Sequence, residues 1–211
     1  LEGEPAAIDS VECAQLFSDL LEAKDRDLFN HSTRVTFYAT LLANHLSLPP
    51  AEQKALAIGS LLHDIGKIGL DDRLLTRTDR LDEQEWETFK RHPEIGARMM
   101  LSFQTQAEVG QIILYHHETY DGSGYPHGLQ GQGIPLLARI VSMVQTFDHL
   151  VAGQPDHQVL SMEEAGEELR RQAGIRHDPT LAEIFSRLIS ENKVPLPALA
   201  IASMSAVLPE S

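Results

Sequence analysis

The sequence predicts an all-α fold, on three observations. Apolar residues return every three or four positions in almost every segment. Proline and glycine punctuate the chain at helix-length intervals, as at Pro49-Pro50, Gly66, Pro93, Pro135, Gly174 and Pro179. No stretch alternates apolar and polar residues with the two-residue period of a half-buried strand.

Residues 11–29 carry Val11, Leu16, Leu20, Leu21 and Leu28 at helical spacing, and 31–46 continues with Val35, Tyr38, Ala39, Leu42 and Leu46 on one stripe. Pro49-Pro50 ends that helix and opens the next, 50–64, which closes at Gly66. The polar run after Gly69 reads as loop with a single turn. Asp82 then caps a helix to Arg91, with Glu85 placed to complete a capping box. His92-Pro93 begins another to Ser102, and 105–118 follows with Val109, Ile112, Ile113 and His116 on a buried face. Five glycines and one proline crowd 119–134, too many for a regular element, so a long functional loop is expected there. Residues 135–152 form a strongly apolar, central helix; 161–173 and 179–191 are amphipathic helices. One domain is expected over 10–192, with 1–9 an N-terminal extension and 193–211 a weakly patterned tail.

A chain of 211 residues, 42% hydrophobic, can bury a sizeable core. Its 31 acidic against 17 basic residues, a net charge of −14, disfavour the broad basic face that grips DNA or RNA polymers. No apolar run approaches the roughly 20 residues that span a bilayer, and no signal peptide is evident. Cys13 is alone, which excludes an internal disulfide and makes a reducing cytoplasm the expected compartment. Leu1 stands where an initiator Met would, so an upstream regulatory domain is expected to be absent from this chain.

Chemistry concentrates in two strings, LLHDIGK at 61–67 and HHETYDGSGYP at 116–126. His63-Asp64 and His116-His117 are adjacent pairs. Neighbours on a helix point about 100° apart, so each pair can face two metals instead of chelating one. Imidazole with carboxylate suits Mn, Fe, Zn or Ni. Taken singly, a histidine is most simply a hydrogen-bonded core or surface residue. That explanation fails for His31, His63, His92, His116 and His117 together, all at helix ends or beside Gly and Pro, because buried imidazoles are costly unless partnered. His45, His127, His149, His157 and His177 read as ordinary.

These strings, with HSTRV (31–35), FKRHPEIG around His92, the run from His116 to Ile140 and HDPTL (177–181), resemble the HD-GYP family, a branch of the HD-domain metal phosphohydrolases. The similarity spans residues 27–185. It implies an HD-domain helical bundle with a GYP loop that cleaves cyclic di-GMP, or a related cyclic dinucleotide, to pGpG or GMP with two or three divalent ions, Fe or Mn. By the same resemblance His31, His63, Asp64, His92, His116 and His117 match metal ligands, with Asp64 the bridging carboxylate. Lys67 matches the lysine that reaches the scissile phosphate. Asp27 stands where some members place a third-metal Glu. Gly124 and Tyr125 belong to the loop that meets the substrate, where glycine allows close backbone approach and tyrosine offers a flat face or a hydroxyl to a guanine.

The chain departs from the family after Ile140. Gln145 stands where the last metal-binding Asp is expected; Asp148, three residues on, is a candidate substitute. Gln154 and His157 replace the basic residues of a phosphate clamp, and Asp156 replaces an aromatic. Two expectations follow: a working phosphodiesterase, or a degenerate, non-catalytic module that binds a nucleotide or a GGDEF-type signalling protein.

Overall fold

A computed structural model describes residues 10–75, 81–101, 107–153, 159–198 and 200. Ten α-helices carry the regular structure among them: α1 (Ser10–Lys24), α2 (Arg26–His45), α3 (Pro50–Leu62), α4 (Asp72–Leu75), α5 (Glu83–Phe89), α6 (His92–Leu101), α7 (Ala107–Tyr115), α8 (Leu136–Ala152), α9 (Met162–Arg171) and α10 (Pro179–Ser190). Two 3-10 turns, Ile65–Gly69 and Gly131–Gly133, join them, and the described residues form no strand beyond an isolated bridge between Ala173 and His177. The fold is the expected all-α bundle. No helix among the described residues is long and apolar enough to cross a membrane.

α8 is the axis. Eleven of its side chains are buried, among them Ile140, Val141, Val144 and Phe147, and α2, α7 and the α9–α10 hairpin pack around it. Tyr38 on α2, Phe147 on α8 and Phe185 on α10 lock three helices together. Their rings meet edge to face at 5.1 Å for Tyr38–Phe147 and 5.1 Å for Phe147–Phe185, the arrangement that ring quadrupoles favour. Tyr38 also donates through its hydroxyl to the Pro195 carbonyl, and Val194 and Ala200 join the core, so the chain stays with the bundle past 192.

Caps set most boundaries. Asp82 and Glu85 form the expected capping box, and Ser161 with Glu164 forms another at α9. The expected 11–29 helix is instead divided at Asp25, whose carboxylate accepts from the Asp27 and Leu28 amides and so starts α2 five residues earlier than the 31–46 expectation. α7 ends at Tyr115, which puts His116 and His117 in the turn beyond it. Residues 1–9, the 102–106 joint between two expected helices, and most of the tail lie outside the described residues.

One close approach positions the site. The 3-10 turn runs so near the start of α6 that a Cβ at Gly66 would collide with the His92 carbonyl and the Gly96 amide, both backbone. Only glycine lets Asp64 and His92 share a neighbourhood. Gly66→Ala should therefore destabilise the fold by about 3 kcal/mol, as overpacking against rigid neighbours does. At about 2–4 °C per kcal/mol for this size, calorimetry should show a melting temperature about 6–12 °C lower.

Candidate metal centre

Three histidines close three helices in the same way. His63 follows α3, His92 lies three residues past the end of α5, and His116 follows α7. Each places Nδ1 against the carbonyl three residues back: Ser60 at 2.7 Å, Phe89 at 2.8 Å and Ile113 at 2.7 Å. The last carbonyls of a helix lack an intrahelical donor, and the imidazole supplies one. A carbonyl can only accept, so Nδ1 carries the proton and Nε2 keeps its lone pair. The three Nε2 atoms converge on Asp64. His31, inside α2, is oriented differently: its Nδ1 lies 2.7 Å from Asp148 Oδ2, and Arg34 holds that carboxylate at 2.6 and 2.9 Å.

Asp64 divides its oxygens between two groups. Oδ2 lies 2.7 Å from Lys67 Nζ and 3.4 Å from His63 Nε2. Oδ1 lies 3.3 Å from His92 Nε2 and 3.7 Å from His116 Nε2. Ligand atoms of His31, His63 and Asp64 lie within 4.8 Å of one another, and so do those of Asp64, His92, His116 and His117. The donor set fits bound metal. His31 Nε2, His63 Nε2, His117 Nε2 and Asp64 Oδ1 are buried without hydrogen-bond partners, a costly state for polar atoms unless something else binds them. The Nε2 atoms of His92 and His116 face each other at 3.4 Å. With both protons on Nδ1, two lone pairs meet there, and a cation relieves their repulsion.

The titration state suits ligation. Burial holds His63 and His117 well below the usual imidazole range, and holds His116 below it too. For Asp64 burial acts upward, but the Lys67 ammonium and the His63, His116 and His92 rings prevail and keep its carboxyl well below its ordinary value. Neutral imidazoles around an ionised carboxylate are the forms that bind metal.

Beside this floor opens a cavity of about 790 Å³. Its aromatic wall comes from α5 and the GYP loop. Tyr125 stacks on His117 at 4.8 Å and 20°, Trp86 meets Tyr125 edge-on at 6.2 Å, and Phe89 stacks on Trp86 at 5.7 Å. The loop is held by its own polar groups. The buried Glu118 carboxylate accepts from the His127 and Leu129 amides at 2.8 and 3.0 Å, and Asp121 Oδ1 accepts from the Ser123 amide and from the Thr119 and Ser123 hydroxyls. Gly124 leaves no room for a Cβ against the Thr119 amide and the His117 carbonyl. The Tyr120 and Asp121 amides donate to the Arg176 and Ile175 carbonyls, which ties the loop to the turn before α10.

The structure thus brings together the six histidine and aspartate candidates, Lys67, Gly124 and Tyr125. Asp27 is exposed and borders a second cavity, of 420 Å³, which His31 also lines. Gln145 borders the main cavity, and its amide nitrogen donates to the His116 carbonyl at 2.7 Å. Asp148 is not a substitute beside it, because both its oxygens are engaged by His31 and Arg34. Gln154, Asp156 and His157 lie outside the described residues. Sequence reasoning passed over His149, which lies parallel to His31 at 4.5 Å, borders both cavities, and is pushed by burial down to about 3. Its signal was the four-residue step from Gln145, which places both on one face of α8. Arg34 and Glu118 gave no signal of their own; each is recognised only by what it holds.

An HD-domain family model matches residues 15–181, most of the chain. The chain belongs to the HD-domain family, in the HD-GYP branch its motifs resemble. It is 37% identical to the cyclic di-GMP phosphodiesterase response regulator RpfG of Xanthomonas campestris over 79% of this chain and 45% of that one. It is 34% identical to the 3'3'-cGAMP-specific phosphodiesterase 2 of Vibrio cholerae over 83% and 34% respectively. Among solved structures, the cyclic GMP-AMP specific phosphodiesterase V-cGAP3 of V. cholerae superposes with a TM-score of 0.68 at 21% identity, covering 93% of this chain and 54% of that chain. The chain therefore spans half or less of the curated relatives named here.

His177 gives the fold a pH dependence. It is buried, neither ring nitrogen has a hydrogen-bond partner, and burial, aided by the Arg176 charge, pushes it down to about 4. An unfolded histidine titrates near about 6.5, so between those values the unfolded chain binds the extra proton. Stability supplied by the neutral ring is complete above about pH 6.5 and is lost as pH falls toward 4. Denaturant titration of metal-free protein should lose about 2 kcal/mol through this group by pH 5, and His177→Gln should flatten the slope. An equal slope in the variant would refute the assignment.

Proposed function

We propose that the chain is a metal-dependent phosphodiesterase acting on a cyclic dinucleotide, with cyclic di-GMP the first substrate to test and pGpG or GMP the product. The observation that carries this reading is the single carboxylate, Asp64, shared by two groups of imidazoles at the floor of a cavity of about 790 Å³. His31, His63 and Asp64 would hold one ion, and Asp64, His92, His116 and His117 the other. Fe or Mn suits these donors, and the relatives' names support a cyclic dinucleotide. Bound there, the ions supply Lewis acidity and an activated water.

The chain's own residues do the rest. Asp64 presents one oxygen to each group. Lys67, at the cavity edge and 18% exposed, adds positive charge where phosphate oxygens arrive. Asp148 and Arg34 stand behind His31 and keep its Nε2 directed inward. Tyr125 and Gly124 form the wall that receives a base. The lone Cys13 suits a reducing cytoplasm. Gln145 favours a second reading, a binding module without turnover that docks a nucleotide or a GGDEF-type protein, because a neutral amide is a poor substitute for a carboxylate ligand.

Hydrolysis assays on Mn- or Fe-loaded protein separate the two. The enzyme reading expects cyclic di-GMP turnover by the wild type, loss of about 1,000-fold or more in Asp64→Asn, and at most a few-fold gain in Gln145→Asp. An inert wild type rescued by Gln145→Asp would establish the second reading instead. Separately, Asp148→Asn should weaken Mn affinity about 10–100-fold while the circular dichroism of the helices stays unchanged. Affinity equal to wild type would show that His31 needs no such support.

A further inference from the structure

Three cationic side chains border the cavity: Lys67, Lys90 and Arg176. Two are already paired, Lys67 with Asp64 at 2.7 Å and Lys90 with Glu87 at 2.6 Å. Arg176 has neither an ion pair nor a side-chain hydrogen bond among the described residues. That is informative in a chain where acidic residues outnumber basic ones 31 to 17, since a guanidinium finds a carboxylate easily there. Its position is also fixed. The Arg176 carbonyl accepts from the Tyr120 amide at 3.1 Å, and the next two residues lead directly into the cap of α10. It lines the same cavity as Tyr125.

A cyclic dinucleotide carries two phosphodiesters. If one lies over the metal floor with Lys67, the other remains in the same cavity as an anion without a partner. From Ile140 to Leu169 the chain supplies no lysine or arginine, so the cation has to come from elsewhere. We infer that Arg176 forms the subsite for the second, non-reacting phosphodiester, an inference that rests on the proposed cyclic dinucleotide reading. The planar fork of donors matches two phosphate oxygens at once, which a lysine does not reproduce.

The test compares two substrates in the metal-loaded protein: cyclic di-GMP, with two phosphodiesters, and bis(p-nitrophenyl) phosphate, with one. Arg176→Ala should raise KM for cyclic di-GMP about 10–100-fold, the range of a lost charge-assisted hydrogen bond. Its effect on the single-phosphodiester substrate should be at least about tenfold smaller, and Arg176→Lys should recover only part of the loss. The side chain is exposed and unpartnered, so a melting curve should confirm that the variant folds. Unchanged KM for cyclic di-GMP would overturn the subsite and leave the proposed function standing. Equal losses on both substrates would overturn it too, by assigning Arg176 to the geometry of the site. A wild type that cleaves the small diester but neither binds nor cleaves any cyclic dinucleotide would overturn both readings.

Discussion

Everything near the site is arranged around one buried carboxylate. Asp64 has an imidazole group on each side and an ammonium at its edge, and it cannot be moved without breaking all three relations. The requirement reaches outward. α3 has to stop at Leu62, the following turn has to tighten into a 3-10 geometry, and Gly66 has to leave its volume to the α6 backbone. The core helices then hold these ends in place, with α8 and its three-ring aromatic junction as the fixed reference.

The helix ends do double duty. A terminal carbonyl without a donor is ordinarily a small liability. Here three such carbonyls fix the tautomers of His63, His92 and His116, so one hydrogen bond both finishes a helix and aims a lone pair. His31 has no helix end to use, and the Asp148–Arg34 pair stands in for one. Orientation thus comes from backbone for three ligands and from a side-chain pair for His31, while Asp64 is the one carboxylate in both ligand groups.

Much of this was legible in the residues. Helical periodicity with Pro and Gly joints gave the bundle, and the paired strings around His63 and His116 marked the floor of the site. What escaped was of two kinds. Asp25 looks like any acid in an acidic helix, and only the geometry reveals it as a cap that divides 11–29. Asp148 and His149 sit on α8 within four residues of Gln145; helical spacing offered Asp148 as a substitute ligand and passed over His149, and it could assign the partners of neither. Periodicity fixes a face; it does not say which atom opposite will be close enough to bond.

The GYP loop is joined to the turn before α10 by two backbone hydrogen bonds, and that turn runs into Asp178, which caps α10 and pairs with Arg139 at the start of α8. The aromatic wall is therefore continuous with the helical frame. The ring that stacks on His117 therefore takes its position from two helices that supply no ligand, so a change at the Arg139–Asp178 pair would be felt at Tyr125.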